Sequence, residues 1–339
     1  MLIAGDIGGT KTLLALYAPE GGARRPVAQA EYHSSDHAGL APMVRQFLAR
    51  AGRSADQACF DVAGPVIEGR GRLTNLPWVL DEEALCSDLG LQRVTLLNDL
   101  QAVATAVPHL RPADLHTLNR GHAEPQGAIA VIAPGTGLGE AFLVWSGTRY
   151  VACSSEGGHA DFAPADESQA QLLGFLRARF GHVSCERVCS GSGLANIYEF
   201  LRDTGVAEEP SAFAARLSAA SDRAPPIVAA ATRQPRADPL AAATLRAFVT
   251  ILGAEAGNLA LNVLASGGVY VAGGIAPRIL PQLEGGAFMH AFTDKGRFAD
   301  RLAAMPVHVI TAQAALMGAA IRGLDIMRSA QGTFGETGA

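Results

Sequence analysis

The sequence predicts an α/β protein of about two domains, and three observations carry that prediction. Strand-like apolar runs alternate with helical ones, as where VTLLND runs into LQAVATAV, and Ala-rich helical stretches cover residues 167–180 and 240–264. Three of the apolar runs end in glycine turns: LIA before GDIGGT, AIAVIA before PGTGLG, and VYVA before GGIAPR. The chain has 339 residues, enough for two cores at roughly 100 to 200 residues per domain.

Taken in order, residues 2–17 read as a strand, a glycine turn and a second strand. Residues 128–145 repeat that pattern, so the two hairpins suggest a duplicated architecture. A domain boundary falls near residues 109–112, after the helix that follows Asn98 and Asp99. Residues 203–239 hold Pro210, Pro225, Pro226, Pro235 and Pro239, and short helices with loops are expected there. Residues 256–277 carry no charge and are long enough to span a bilayer. Asn258, Asn262 and the pairs Gly267-Gly268 and Gly273-Gly274 punctuate that stretch, so it reads as a packed helix and then a buried strand. A helix could begin at Pro277, its proline in the first turn.

Charge and cysteine usage exclude several classes. With 27 Lys plus Arg against 32 Asp plus Glu, the net charge of -5 offers no basic field for nucleic acid. Lys11 and Lys295 are the only lysines, so a mechanism needing a catalytic lysine has two candidates. Five cysteines with no framework spacing argue for reduced thiols in the cytoplasm. Asp6 interrupts any apolar signal-peptide core, and no membrane partner is expected. His182, Cys185 and Cys189 lack the paired C-x-C or C-x-x-C spacing of a structural zinc site, so no zinc is expected.

The run GDIGGTKT comes close to a Walker A loop, but Thr10 stands where the second glycine belongs and LLALY follows as a strand, not a helix. A glycine hairpin can still hold phosphates through the N–H groups of Gly8, Gly9 and Thr10. Asp6 would repel bare phosphates yet suits a hydrated magnesium. The competing reading is a plain tight turn with Asp6 as a turn residue. Gly135, Thr136, Gly137 and Gly139 form no dinucleotide fingerprint, since the third glycine comes early and a strand follows. Paired with the first hairpin, they could clamp a polyphosphate from both sides.

The motifs GDIGGTKT, AGPV, LTNLPW, LLNDLQAVA, PGTGLGEA, SEGGHADFAP, ERVCSGSGL and VAGGIAPR occur in that order between residue 2 and about residue 322. Together they resemble the bacterial glucokinase family. The resemblance implies an actin-like, hexokinase-type fold built on the ribonuclease H-like motif, with two domains around a central cleft. It implies a small domain of residues 1–110 plus about 300–322, a large domain of residues 111–299, and a homodimer. It also implies transfer of the ATP γ-phosphoryl group to the 6-hydroxyl of glucose, with Mg2+ at the phosphates.

Under that resemblance Asp99 is the general base, at the carboxyl end of a strand where open α/β sheets place ligands; the alternative is that Asn98 or Asp99 merely caps the next helix. Asn98 can donate and accept at once, which suits sugar hydroxyls. Glu156 and His159 are spaced like a helical metal pair, but Gly157-Gly158 disfavours a helix, and the resemblance puts both on the sugar as a buried carboxylate and imidazole. It assigns Glu186 to the sugar near the anomeric end, against a plain role at a helix start. Asn75 is a further sugar candidate, with turn formation beside Pro77 as its alternative. The nucleotide set is Gly5, Asp6, Ile7, Gly8, Gly9, Thr10, Gly135, Thr136 and Gly137, with Gly273 and Gly274 at the adenosine end and Asp6 on magnesium through water. Lys11 defaults to a solvated surface residue. Two other functions compete: a kinase for another hexose or amino sugar, and a non-catalytic sugar sensor or actin-like nucleotide switch. A DNA-binding sensor needs a segment ahead of the hairpin that begins at Gly5, and a bare switch needs no SEGGHADF.

Overall fold

The computed structural model describes residues 1–73, 76–235 and 237–332. The chain divides into two compact units, residues 1–110 with the final segment from Ala312, and residues 111–311.

In the first unit, β1 (Leu2–Ile7), β2 (Lys11–Tyr17) and β3 (Ala28–His33) form an antiparallel meander. Strand β4 (Gln57–Val62) then pairs parallel to β1. Strands β5 (Val66–Ile67), β6 (Arg70–Arg72) and β7 (Val79–Asp81) make a small separate sheet, and β8 (Arg93–Asn98) pairs parallel to β4. The main order is β3-β2-β1-β4-β8. Strand alternation sorts the side chains into two cores. Ile3, Ile7, Phe60, Val62 and Leu96 face α1 (Leu40–Ala51) and α2 (Glu82–Leu89). Leu2, Ala4, Cys59 and Leu97 face the opposite side with Ala102 of α3 (Asp99–Ala106). Asp81 caps α2 by accepting the Ala84 N–H at 3.0 Å, and Gly90 ends it in the left-handed conformation at φ 65°.

The second unit repeats the plan. Its sheet comprises β9 (Leu115–Asn119), β10 (Ile129–Pro134), β11 (Leu138–Trp145), β12 (Tyr150–Ser155), β13 (Gly268–Val271) and β14 (Val307–Ile310), in the order β12-β11-β10-β13-β14-β9. Again an antiparallel meander, β10-β11-β12, is extended by parallel strands, β13 and β14. This is the duplicated architecture expected from the two hairpins, with the ribonuclease H-like plan that the family resemblance implies.

Helices α4 (Glu167–Phe180), α5 (Gly191–Asp203), α6 (Ser211–Ala219), α7 (Ala224–Thr232) and α8 (Pro239–Val263) fill the insertion before β13. Asp238 caps α8 through the Ala241 N–H at 2.9 Å, with Pro239 in the first turn. By length and composition α8 could cross a membrane, yet its Leu240, Leu245, Phe248 and Leu252 are buried in this unit's core with Ile227, Phe288 and Phe292. Pro277 opens only a 3₁₀ turn, Ala276–Ile279, before the short α9 (Leu280–Glu284), α10 (Ala287–Thr293) and α11 (Ala299–Ala303).

The return to the first unit comes at Ala312 and not near residue 300, because β14 pairs with β13 and β9 and so belongs to the second sheet. Helix α12 (Ala314–Gly332) then packs on the first sheet, with Leu316, Ala319, Ala320 and Leu324 against Leu2, Ala4 and Cys59. It crosses α3 so closely that a side-chain carbon on Gly318 would collide with the Ala102 carbonyl.

Candidate active site

In the first unit the β1–β2 hairpin is a strand–turn–strand, as its sequence predicts. Gly5 and Ile7 lie buried within β1, so the turn itself is Gly8, Gly9 and Thr10. Gly8 N–H donates to the Lys11 carbonyl at 3.0 Å. The turn is fixed from outside by the buried Ser34, whose hydroxyl donates to the Gly8 carbonyl at 2.7 Å and whose N–H donates to the Thr10 carbonyl at 3.0 Å. Sequence reasoning missed Ser34; no local pattern marks it. Lys11 reaches Glu31 on β3 at 2.6 Å, both side chains more than half exposed, and is a solvated surface pair.

Asp6 and Asp61 are direct partners in the parallel β1–β4 register. Strand parity puts both on the face covered by α3 and α12. Asp61 is fully buried, and apart from the Asp6 carboxyl neither of its oxygens has a side-chain hydrogen-bond partner among the described residues. Burial, then the charges of Asp6 and Asp99, hold its pKa well above the usual carboxylate range. Asp6 is also raised by burial, with the bond to Asp61 opposing. Two ionised carboxylates offer only acceptors, so this pair requires a shared proton or a cation. Asp61 went unread in the sequence; its signal is a lone Asp in the apolar run ACFDV.

The Asn98–Asp99 ambiguity resolves in favour of Asn98 as the cap. Its Oδ1 accepts the N–H groups of Leu100 at 2.9 Å and Gln101 at 3.3 Å, while its Nδ2 donates to the Gly64 carbonyl at 3.0 Å. Asp99 is therefore the first residue of α3, half-buried, with Oδ1 accepting the Leu100 N–H at 2.9 Å. Its carboxylate sits near enough to raise Asp61. Asn75 lies outside the described residues.

In the second unit the turn between β10 and β11 holds Gly135, the exposed Thr136 and Gly137. Gly135 N–H donates to the Gly137 carbonyl, and the Gly191 N–H at the start of α5 donates to the Gly135 carbonyl, both at 2.8 Å. Glu186 sits in a 3₁₀ turn, Cys185–Arg187, and not at an α-helix start. Its carboxylate accepts the Leu138 N–H at 3.0 Å and fills the space where Gly137 lacks a side chain. Gly273 takes φ 80° and packs on Pro134, whereas Gly274 has nothing within 4 Å of where a side chain would begin. That leaves its backbone open to a ligand.

Glu156 and His159 lie on one 3₁₀ turn, Gly157–His159, with His159 Nε2 and Glu156 Oε2 3.9 Å apart. They are exposed at 71% and 60%, not buried as the sequence suggested. The turn lies flat on β11: a side-chain carbon on Gly158 would strike the Leu138 carbonyl, and one on Gly157 would strike the Glu140 carboxyl. Glycine turn, Glu186 and Glu156–His159 turn thus all pack on the first residues of β11. Glu140 and its partner Glu255 were missed, each being one acid within an apolar run.

Among the described residues no three His, Cys, Asp or Glu side chains gather into a metal cluster. His182 instead pairs with Asp161 at 2.7 Å. Magnesium held through water needs only one or two carboxylates, and Asp6 beside the donor-starved oxygens of Asp61 fits that hard-oxygen chemistry.

The glucokinase family model matches residues 3–325. The chain is 42% identical over 334 residues to a glucokinase of Nostoc punctiforme, covering 95% of this chain and 98% of that one. The crystal structure of a glucokinase from an Antarctic psychrotroph superposes with a TM-score of 0.78 at 30% identity, covering 96% of this chain and 98% of that one. A Balamuthia mandrillaris glucokinase, solved in complex with glucose, shares the fold with a TM-score of 0.77 at 22% identity, covering 96% and 93%. With whole-chain matches of this kind and the motif order intact, the chain belongs to the glucokinase family.

Proposed function

We infer that this protein transfers the γ-phosphoryl group of ATP to the 6-hydroxyl of glucose, giving glucose 6-phosphate and ADP. The observation that supports this most is the placement of Asp99 in a chain of this family. Asn98 caps α3, which puts Asp99 just past the carboxyl end of β8 as the first residue of the helix, with its Oδ1 on the Leu100 N–H. The amino end of α3 favours a negative side chain there.

Asp99 takes the proton from the hydroxyl as that oxygen attacks phosphorus, a contribution of about 10² to 10⁴ in rate. Asn98 has a second amide N–H for a neighbouring hydroxyl. Glu156, His159 and Glu186 take ring hydroxyls, and Asn75 is assigned with them on the family likeness. The N–H groups of Gly9 and Thr10, and of Thr136 and Gly137, hold phosphate oxygens, while those of Gly8 and Gly135 close their own turns. Gly273 and Gly274 meet the adenosine end. Magnesium bound with the nucleotide would offset charge on the phosphoryl oxygens, and Asp6 is the side chain that would hold its waters. Five cysteines free of disulfides suit a reducing cytoplasm, and a homodimer rests on the family likeness alone.

A coupled assay across glucose, other hexoses and amino sugars, with ATP, ADP and polyphosphate as donors, tests the reading. Glucose with ATP should give the highest kcat/KM. A higher value for another sugar would move the substrate, and ATP hydrolysis with no sugar phosphorylated would make the chain a nucleotide switch.

A further inference from the structure

Glu140 is a buried acid in an otherwise apolar strand, 4% exposed, on the same face as Leu138 and opposite the buried Ile132 of β10. Its Oε1 has no hydrogen-bond partner among the described residues. A charge in such a place costs several kcal/mol unless it is paired. Its partner is another acid, Glu255 on α8, at hydrogen-bonding range. Two carboxylates bond only when one carries the proton. Asn258 Nδ2 donates to Glu255 at 3.0 Å and the Lys295 ammonium interacts with it, whereas burial raises the Glu140 carboxyl. The proton then belongs to Glu140.

The same carboxyl touches the turn that carries Glu156 and His159. Glu140 faces Ser155 in the β11–β12 ladder, and the Ser155 hydroxyl accepts the Gly157 N–H at 2.9 Å. Glu140 Oε2 occupies the space beside Gly157 where any side chain would sit. The turn is therefore supported at Gly157 by Glu140 and Ser155, and at Gly158 by the Leu138 carbonyl.

We propose that Glu140, bonded to Glu255, is a positioning residue for sugar binding: its uncharged carboxyl is the floor on which the turn bearing Glu156 and His159 rests. The proposal rests on the assignment of Glu156 and His159 to the sugar. Burial, with Glu255 second, raises the Glu140 carboxyl to about 8, so the floor is neutral at pH 7 and gains a second negative charge above that. The other ionisable groups around the pair are Cys185 and Cys189, whose thiols burial keeps protonated, Lys295 and Asp294 beyond Glu255, and Asp161 beside Cys185.

The test compares wild type, Glu140→Gln, Glu140→Ala and Glu156→Gln by full kinetics from pH 6 to 9. Wild-type glucose KM should rise by about 10-fold between pH 7 and 9, while Glu140→Gln, which keeps a bond to Glu255 but cannot ionise, should hold it flat. Glu140→Ala should raise glucose KM by about 10-fold at pH 7 with ATP KM unchanged. Hydrogen exchange at the amides of residues 157–160 should quicken in the Ala variant and not in the Gln variant; this readout stands even if the Ala variant is too unstable for kinetics. A Glu140→Gln profile that still rises like wild type, or unaltered exchange in the Ala variant, overturns the proposal. If Glu156→Gln leaves glucose KM unchanged, the sugar assignment itself fails. If Glu156→Gln raises it while both Glu140 variants behave as wild type, only the role of Glu140 fails.

Discussion

The Glu186 carboxylate accepts the Leu138 N–H at 3.0 Å, tying a residue assigned to the sugar to the first strand residue after the glycine turn assigned to the nucleotide. One side chain thereby serves two ligands. Glu186→Ala should raise KM for glucose and for ATP together, each by about 10-fold, because the turn loses its brace as the sugar loses a partner. Steady-state kinetics with each substrate varied in turn decide it; a change in glucose KM alone would reduce Glu186 to a sugar contact.

Glu156 makes the opposite case. Among the described residues it makes no hydrogen bond to the glycine turn, and its side chain is 71% exposed. Glu156→Gln should weaken glucose binding by about 10-fold and leave ATP KM within twofold.

Asp99→Ala should cut kcat by about 10² or more while glucose affinity and folding stay near wild type. Asn98 retains the cap, so helix α3 does not depend on the lost carboxylate. Circular dichroism, equilibrium glucose binding and turnover measured on one preparation separate these effects. Near-normal turnover would remove Asp99 from its role.

Gly318→Ala should destabilise the first unit by about 1 to 3 kcal/mol, because the added methyl meets the Ala102 backbone carbonyl and not a movable side chain. The displaced helix is α3, which carries Asp99, so kcat should fall as well. Thermal melts and turnover should therefore drop together.

The Glu140 carboxyl also makes stability depend on pH. Its ordinary value is 4.5 and its folded value about 8, so between these the unfolded chain has released a proton that the folded chain keeps. Stability from this group is present below about pH 4.5 and is lost as pH rises toward 8. The melting temperature of Glu140→Gln should gain on wild type from pH 5 to 8 and keep a constant lead above. A constant difference across that window contradicts the shift.

The sequence shows local things well and paired things badly. Both hairpins, the helix after Asn98 and the buried strand before Gly273 follow from runs of a few residues, and the ordered motifs pointed to the family. Asp61, Glu140 and Glu255 each appear in sequence as one misplaced acid, and only the parallel register of β1 with β4, or the packing of β11 against α8, gives each its partner. Burial misled for the same reason: Glu156 and His159 look like interior ligands, yet both side chains are more than half exposed. The return at Ala312 was hidden because β14 is a short apolar strand whose allegiance depends on which sheet edge it joins.

Helix α12 follows the whole second unit in the chain, yet it covers Leu2, Ala4 and Cys59 and steadies α3. During synthesis the second unit has all its strands before the first has its last helix. A ribosome-bound chain stopped after β14 would expose a greasy sheet face and a loosely held base, and would be inert and sticky, a client for chaperones until the final helix emerges.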